Sequence, residues 1–414
     1  MHHQMMQFKS QSDKILLKLH TLKAESGDCL VLEFGKTKSK YILIDGGPGG
    51  VYDQSLQPFL TNLGYGTEFE LVVASHVDDD HMNGLVDLLT SLKGYGTKLI
   101  EIKEIWYNSL EYNIKSDGRI ESKLKNSFKR TTRRQTDNSD VRKSFQKFWD
   151  EAADEYFLES NKNNGVTRTF KPLKTKPIFA KRSIRQGECF RDQAEKLNIP
   201  INKSFNYSLI TLEHKKPTIE IDNLRIEIIG PSQKYLDRLL KKWLEWVEKN
   251  VDKLRSETVR GVSQDQSIPN LSSIMFLAYA DGKSILFTGD GREDHIIEGL
   301  KARNLLNNDG ILKVDVLKLP HHGSNYNVSP SFFETVQAKY YVASGNDDYD
   351  NPHSDTLAMI AKAARKQNRK ITIYVTYNNT KQIKKFCKKC PKAKFDYEIK
   401  TVEPKENYFS IGLS

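Results

Sequence analysis

Three apolar, strand-like runs of this sequence end in histidine or aspartate side chains, and this pattern limits the fold more than any other feature. The runs continue into "SHVDDDHMNGL" from Ser75, "ILFTGDG" around Asp290, and "VLKLPHHGS" with His321 and His322. Ionisable groups that converge at buried strand ends repel or titrate one another unless something lies between them. A shared cation is the simplest explanation. The sequence therefore predicts a metal site where these strand ends meet, at one edge of a sheet sandwich.

The first strand end has the spacing H-x-D-x-D-H. Alternate residues of an extended loop point the same way, so His76, Asp78 and Asp80 are expected to converge. His81 is expected to turn in from the start of the following helix. Imidazole with carboxylate favours zinc, manganese or iron over calcium or magnesium. The alternative is a surface acidic loop. It would explain the hexapeptide alone, but it would not explain why Asp290 and the late histidine pair also follow apolar, strand-like runs.

Strand-like and helix-like segments alternate around these motifs, which predicts an α/β layered architecture. Asp281-Gly282 joins two apolar runs in the manner of a β-hairpin. The pattern loosens between Asn113 and Phe205 and then resumes. We expect a core formed by residues 1–112 and 206–414, with a basic region inserted at 113–205. The two strand-rich halves on either side of the insert are expected to form two facing sheets.

The charge of the chain favours a polyanionic partner. It has 64 Lys and Arg against 53 Asp and Glu among its 414 residues, a formal net charge of +11, and a pI near 9.1. Such a surface attracts nucleic acid. The predicted contacts of the insert are Lys129, Arg130, Arg133 and Arg134. The alternative is a basic loop that is only solvated.

Other features favour a cytoplasmic protein that has no membrane partner. No run approaches the roughly 18 apolar residues of a membrane span, and the first residues do not have the pattern of a signal peptide. The four cysteines are too few for a disulfide framework. Cys387 and Cys390 have C-x-x-C spacing but no second pair follows, so a basic surface turn is favoured over a zinc ribbon or a redox pair.

Five motifs together resemble a known family. They are "GDC" at Gly27, "LIDGG" at Leu43, the segment from Asn270 to Ser273, "LFTGD" at Leu286 and "LKLPHHGS" at Leu317. Their order and spacing resemble the metallo-β-lactamase fold, and within it the hydrolase domain of the ComEC-type competence proteins. The resemblance covers Lys14 to about Tyr107 and Leu224 to about Ala361. It implies an αββα sandwich with the basic insertion between metal motifs.

The resemblance also implies a site that holds one or two divalent transition ions, zinc or manganese. His76 and Asp78 would face the first ion and Asp80 and His81 the second. Asp290 would bridge them, His321 or His322 would complete the second position, and Asp45 would support the ligands. Asp78 stands where the family has a histidine, which favours manganese or a weakly held first ion. A single-metal site remains open.

For function, the resemblance implies a metal-dependent hydrolase, and charge favours a phosphodiesterase or nuclease. The expected catalytic residues are Asp80, Asp290, His322 and His353, although "NPHSDTL" has Asn351 where the family has a histidine. Two alternatives stay open. One is a nucleic-acid-binding or sensing component of a multiprotein system, with a protein partner and a weakened metal site. The other is a hydrolase of small esters or lactones.

Overall fold

The computed structural model describes residues 16–93, 98–108, 187, 189–237, 272–378 and 380–413. Two expectations therefore lie outside the described residues. One is the set of basic contacts at Lys129, Arg130, Arg133 and Arg134, and the other is most of an amphipathic helix that the spacing of the apolar residues from Leu236 to Leu254 predicts.

The first sheet is mixed and is formed mainly by the amino-terminal part of the chain. Its strands there are β1 (Leu16–Leu22), β2 (Leu30–Gly35), β3 (Lys40–Ile44), β4 (Thr67–Ala74), β5 (Ile100–Ile102) and β6 (Ile105–Tyr107). Strands β1 to β3 pair antiparallel, whereas β4 runs parallel to β3, β5 and β6. The carboxyl ends of β3 and β4 consequently lie at the same edge.

The second sheet is also mixed, with the strand order β14-β13-β12-β11-β10-β9-β8-β7. Its strands are β7 (Thr218–Ile221), β8 (Leu224–Gly230), β9 (Met275–Ala280), β10 (Lys283–Phe287), β11 (Leu312–Lys318), β12 (Val336–Ala343), β13 (Ile371–Val375) and β14 (Tyr397–Thr401). Strands β10 to β14 run parallel, so their carboxyl ends share one edge. The final strand, β15 (Tyr408–Gly412), returns to the first sheet beside β1.

The predicted hairpin is confirmed. Strands β9 and β10 pair antiparallel, and Asp281 and Gly282 both have positive φ, 50° and 70°. A two-residue turn of this kind matches the right-handed twist of the flanking strands.

Alternating side chains place one core between the sheets and one on each outer face. Leu19 and Leu32 of the first sheet share the central core with Phe276 and Ile285 of the second. The helices α1 (Gln57–Leu63), α2 (Asp79–Ser91), α3 (Glu293–Ala302), α4 (Pro330–Thr335), α5 (Ser354–Lys366) and α6 (Lys381–Lys389) lie on the outer faces. Helices α1 and α2 cover the first sheet, and α3 to α6 cover the second. The α/β layered prediction is confirmed.

Residues 189–205 fall inside the range expected to be the insert, yet they pack against the first sheet. Phe190 and Ala194 are buried there beside the helix side chain Leu89, and Ile201 bridges to Ile105 of β6. Within the described ranges, no helix combines the length and the apolar composition needed to cross a bilayer.

Candidate metal centre

The strand ends singled out in the sequence meet at one edge of the two sheets. His76 follows β4, and Asp80 and His81 lie in the first turn of α2. Asp290 follows β10, and the histidine pair follows β11 in a short 3₁₀ turn. These residues, with Asp78, are called the histidine–aspartate cluster below: His76, Asp78, Asp80, His81, Asp290, His321 and His322.

Four members of the cluster surround one point. The Nε2 atom of His81 lies 3.2 Å from Nε2 of His322 and 3.3 Å from Oδ1 of Asp290. Nε2 of His322 lies 3.4 Å from Oδ2 of Asp80 and 3.5 Å from Oδ2 of Asp290. Ligands about 2.1 Å from a tetrahedral ion are separated by about 3.4 Å. The four side chains therefore have the spacing of a ligand set.

A second, looser group shares the Asp290 carboxylate. Nε2 of His76 lies 3.7 Å from Oδ2 of Asp78 and 3.8 Å from Oδ2 of Asp290. Nε2 of His321 lies 3.5 Å from the same Asp290 oxygen. Asp290 thus stands between two sets of donors, one with His81 and His322 and the other with His76 and His321.

Two buried atoms in the cluster indicate that a bound group belongs there. Among the described residues, Nε2 of His76 and Oδ1 of Asp290 have no hydrogen-bond partner. A buried polar atom left unpaired costs about 1–3 kcal/mol. Both atoms are good donors to a transition ion, and so are the imidazole and carboxylate groups around them. The residues present fit one or two divalent ions.

Buried polar groups orient the histidines from behind. Nδ1 of His81 lies 2.8 Å from Oδ2 of Asp45. Asp45 in turn accepts hydrogen bonds from the backbone N and the Oγ of Ser75, each 2.7 Å long. Nδ1 of His322 lies 3.2 Å from Oγ of Ser344. A carboxylate that holds Nδ1–H fixes the tautomer and leaves the Nε2 lone pair for a metal.

Asp28 belongs to this supporting layer, although it lies close to the cluster. Asp28, His81, Asp290 and His322 each offer a ligand atom within 4.8 Å of the others. The carboxylate of Asp28, however, lies 3.3 Å from Nδ1 of His322, on the far side of that ring from Nε2. Its other oxygen, Oδ2, pairs with Nζ of Lys318 at 2.5 Å, whereas Ser344 donates to Oδ1, the oxygen near His322. We therefore assign Asp28 an orienting position.

The cluster holds protons when no metal is bound. Burial alone would lower the pKa of His81 and His322, but Asp290 and the carboxylates behind the rings raise both pKa values well above the usual range. Burial alone would raise the pKa of Asp290, but His322, His321 and His81 hold it well below the usual range. A metal must displace the imidazole protons, so metal affinity is expected to rise with pH.

The structure places His353 at the start of α5 and outside the cluster. Its Nδ1 accepts a hydrogen bond from the backbone N of Asp355 and so caps that helix. Its backbone N donates to the carbonyl of Gly323, next to His322. Among the described residues no ion pair joins its ring to the cluster. Its role as a proton donor stays a prediction.

Reasoning from sequence missed Asp28 and Lys318 as supports of the site. Both are 1% exposed. A signal was present, because Lys318 lies within the apolar run from Val316 to Leu319 and a lysine is almost never fully buried unless it is paired. The partner of that lysine could not be named from the sequence.

Comparisons with known proteins give partial matches. No protein-family model matches the chain. A stretch of 100 residues is 29% identical to ComE operon protein 3 of Bacillus subtilis strain 168 and covers 24% of this chain and 12% of that protein. Among solved structures, a protein of Parabacteroides distasonis, provisionally described as a metal-dependent hydrolase, aligns over 94% of both chains at 12% identity with a TM-score of 0.33.

The fold and the site together define an α/β protein of two mixed sheets, with a buried histidine–aspartate cluster at the strand ends that can hold a divalent metal ion.

Proposed function

We propose that the protein is a metal-dependent hydrolase of the metallo-β-lactamase fold that cleaves phosphodiester bonds in nucleic acid. The observation that supports this most is the position of Asp290 between two sets of imidazole donors. Two facing sheets with helices on both outer faces support the fold assignment. Both sheets contribute to the cluster, as expected of a site at the edge of such a sandwich.

When bound, one or two zinc or manganese ions would supply Lewis acidity toward a phosphoryl oxygen and lower the pKa of a water molecule. The residues of the chain would orient the water and admit the substrate. Asp290 has a buried oxygen aimed into the cluster and is the group that would orient a nucleophilic water. Asp78, Asp80 and His321 are the more open members, with side-chain exposures of 27%, 29% and 32%. Substrate therefore approaches from their side.

The choice of a phosphodiester rests on charge. A net charge of +11 attracts a polyanion, and substrates such as lactones or small esters gain nothing from it. Contacts from Lys129, Arg130, Arg133 and Arg134 remain part of the proposal. Nucleic acid is accordingly the proposed substrate, and a protein partner in a larger system stays a prediction.

A second candidate is a nucleic-acid-binding or sensing component that binds metal weakly. The observation that favours it is the looser group, in which His76 lies 3.7 Å and 3.8 Å from its carboxylate neighbours. The side chain of Asp78 is also 27% exposed, whereas that of His76 is fully buried. This candidate predicts metal content well below one ion per chain.

The test is cleavage of labelled single- and double-stranded DNA and RNA, with a panel of simple esters and lactones in parallel. The protein is stripped of metal and reloaded with manganese, zinc or magnesium beside an Asp290→Ala variant. We expect metal-dependent cleavage of nucleic acid that the variant loses. Tight binding without cleavage under every ion, together with low metal content, would favour the sensing component. Cleavage of esters alone would overturn the choice of substrate.

A further inference from the structure

Helix α6 presents a row of lysines that the metal site does not use. Ile383 and Phe386 face the core and are buried. The opposite side carries four lysines at the i, i+3, i+4, i+7 spacing of one helical face, and two more follow in the next turn. We call this set the lysine face: Lys381, Lys384, Lys385, Lys388, Lys392 and Lys394, all exposed.

The lysine face is not neutralised by its surroundings. Over the part of the chain that the structure describes, the neighbouring Lys389 pairs with Asp355 at 2.5 Å, while no carboxylate forms an ion pair with the lysine face itself. Like charges three and four residues apart destabilise a helix. Lys381 also adds a positive charge to the first turn, which contains no acidic residue and already carries the positive end of the helix dipole. Local stability therefore does not account for this sequence.

The lysine face begins beside the loop that borders the metal site. Gln382, 0% exposed, donates from its backbone N to Asp347 at 3.1 Å and from Nε2 to Asp350 at 2.5 Å. Its Oε1 accepts from the backbone N of Ser354 at 3.1 Å. His353, the residue before Ser354, donates a backbone hydrogen bond to the carbonyl of Gly323, which is next to His322 in the chain. Helix α6 thus starts one loop away from the cluster.

That loop holds an exposed aromatic ring between α6 and the cluster. Tyr349 is 68% exposed, and Gln382 holds the side-chain carboxylates of Asp347 and Asp350 on either side of it. Its φ is +58°, and Asp347 and Asp350 are also left-handed.

We infer that the lysine face binds the phosphate backbone of a single nucleic-acid strand and, with Tyr349 stacking on a base, leads that strand to the histidine–aspartate cluster. A charged track with an aromatic platform is the way proteins hold single strands without reading their sequence. The nine residues of α6 span about 13.5 Å, enough to contact more than one phosphate of the strand. This inference rests on the proposed function and deepens it, because it selects a polymer over a small substrate.

The first test is binding of a labelled 20-nucleotide oligothymidylate to metal-free protein, measured by fluorescence anisotropy over a range of salt. The variant Lys384→Gln/Lys385→Gln/Lys388→Gln should bind at least about 10-fold more weakly at low salt. The slope of log affinity against log salt should fall by about 2, since each single-strand phosphate contact contributes about 0.7.

The matched control is Lys36→Gln/Lys301→Gln/Lys313→Gln, which removes three exposed lysines elsewhere. Both triple variants change the net charge from +11 to +8 (11 − 3). The control should retain the slope of the parent protein. An equal loss in both variants would overturn the inference, because binding would then follow overall charge and not the lysine face.

The aromatic platform has its own pair of variants. Tyr349→Ala should weaken oligothymidylate binding by roughly 10-fold with little change in the salt slope, because stacking releases no counterions. Tyr65→Ala removes a ring of similar exposure, 63% against 68%, from the turn between α1 and β4, and should leave binding unchanged. Unchanged binding in Tyr349→Ala would overturn the role of that ring.

Two further measurements distinguish this inference from the proposed function and from binding to a membrane surface. The triple lysine variant, when loaded with metal, should hydrolyse bis(p-nitrophenyl) phosphate at the rate of the parent protein, because its histidine–aspartate cluster is intact. If neither the parent nor the variant hydrolyses any substrate, while the variant still binds the oligonucleotide more weakly than the parent does, the proposed function fails and the lysine face remains a binding surface. Vesicles of phosphatidylserine and phosphatidylcholine form the other arm. Vesicle binding lost in the variant with oligonucleotide binding intact would overturn the inference in favour of a membrane surface.

Discussion

Backbone strain accompanies the side chains of the cluster. Asp45, His321 and His322 have φ of 59°, 46° and 54°, a region that non-glycine residues adopt at a cost of about 1–3 kcal/mol each. Surrounding bonds hold them there. The backbone N of Asp45 donates to Val73 at 2.9 Å, and that of His321 donates to Gly289 at 3.1 Å. The strained backbone thus lowers the stability of the fold while it orients these three side chains.

The carboxylate behind His81 should matter for metal binding. We expect Asp45→Asn to weaken zinc or manganese affinity by about 10–100-fold, because an amide holds the Nδ1 proton less firmly than a carboxylate does. Competition against a chromogenic chelator measures this. Asp53→Asn, at an exposed position, is the control and should bind metal as the parent does. Equal affinity in Asp45→Asn and the parent would contradict the orienting role.

The buried pair of Lys318 and Asp28 supports a prediction about stability. Burial alone would raise the pKa of Asp28, but Lys318 and His322 hold it well below the usual range. Lys318→Met removes the lysine partner of that buried carboxylate, so the free energy of unfolding should fall by about 3–5 kcal/mol. The double variant Asp28→Asn/Lys318→Met should recover much of the loss. Urea denaturation measures these two variants and Asp28→Asn alone, and an additive double variant would argue against direct coupling.

The sequence predicted the ligand candidates and one supporting residue, Asp45, but not the supporting pair of Asp28 and Lys318. His76, Asp80 and Asp290 could be singled out because each stands where an apolar run ends, and strand ends of parallel strands share an edge. The pairing of Asp28 with Lys318 depends on which strands become neighbours across the two sheets. No local pattern contains that information.

Helix α2 approaches the first sheet so closely that only glycine fits at the contact. A Cβ on Gly84 would lie 1.9 Å from the carbonyl oxygen of Gly46. The backbone N of Gly84 also donates to Gly47 at 3.0 Å. This contact sets the height of the helix above the sheet and, through it, the position of His81.

Replacing that glycine should move the helix and the ligand together. We expect Gly84→Ala to lower the free energy of unfolding by about 1–3 kcal/mol and to weaken metal binding by more than 10-fold. Gly49→Ala is the control, since its added Cβ meets no atom within 4 Å. Calorimetric titration with metal and urea denaturation measure the two effects. Normal metal affinity in Gly84→Ala would show that α2 is not positioned by this contact.

The contact between β1 and β2 should make stability depend on pH. The hydrogen bond from His20 is the largest influence on Glu33, and with Ser39 and Lys18 it lowers the pKa from 4.5 to about 2, although burial opposes this. A carboxyl with a lowered pKa stabilises the fold above its unfolded pKa, and that contribution is lost as the pH falls through its folded pKa.

Glu33→Gln should therefore lower the free energy of unfolding by about 1–2 kcal/mol at pH 7, and the difference from the parent should shrink between about pH 4.5 and pH 2. Chemical denaturation at several pH values measures it. Glu68→Gln affects two exposed ion pairs, 3.9 Å from Lys38 and 3.5 Å from Lys103, so it should change little at any pH. A difference that stays constant with pH would contradict the assignment to Glu33.

Strands were easier to predict than helices because their apolar alternation is strong. The runs that became β4, β10 and β11 were visible directly, as was the Asp281-Gly282 turn. The segment around Cys387 was expected to be a turn, but it is helix α6, with Cys390 buried behind it. Its two buried apolar side chains, Ile383 and Phe386, were too few to stand out among the lysines.

At the scale of the whole molecule, the cluster joins the two sheets. His76 and His81 come from the side of the first sheet, whereas Asp290 and His322 come from the second. A metal bound by both sides binds the folded chain and not the unfolded one. At 100 times its dissociation constant, it should add about 2.7 kcal/mol to the free energy of unfolding.

This linkage is measurable as a shift in thermal stability. Manganese or zinc should raise the melting temperature of the parent protein, and EDTA should reverse the shift. Asp290→Ala should show little response, because it removes the carboxylate shared by both donor sets. A similar shift in that variant would place the metal elsewhere on the chain.

The pairing of β15 with β1 has a consequence for how the chain reaches this structure. Ser410 and His20 are bonded across 390 positions of sequence, so β1 keeps one open edge until β15 has been synthesised and docks. Open strand edges recruit other strands. During translation the growing chain would therefore depend on chaperones or on rapid docking of β15. Aggregation in vivo should accordingly depend on the rate at which translation of the chain is completed.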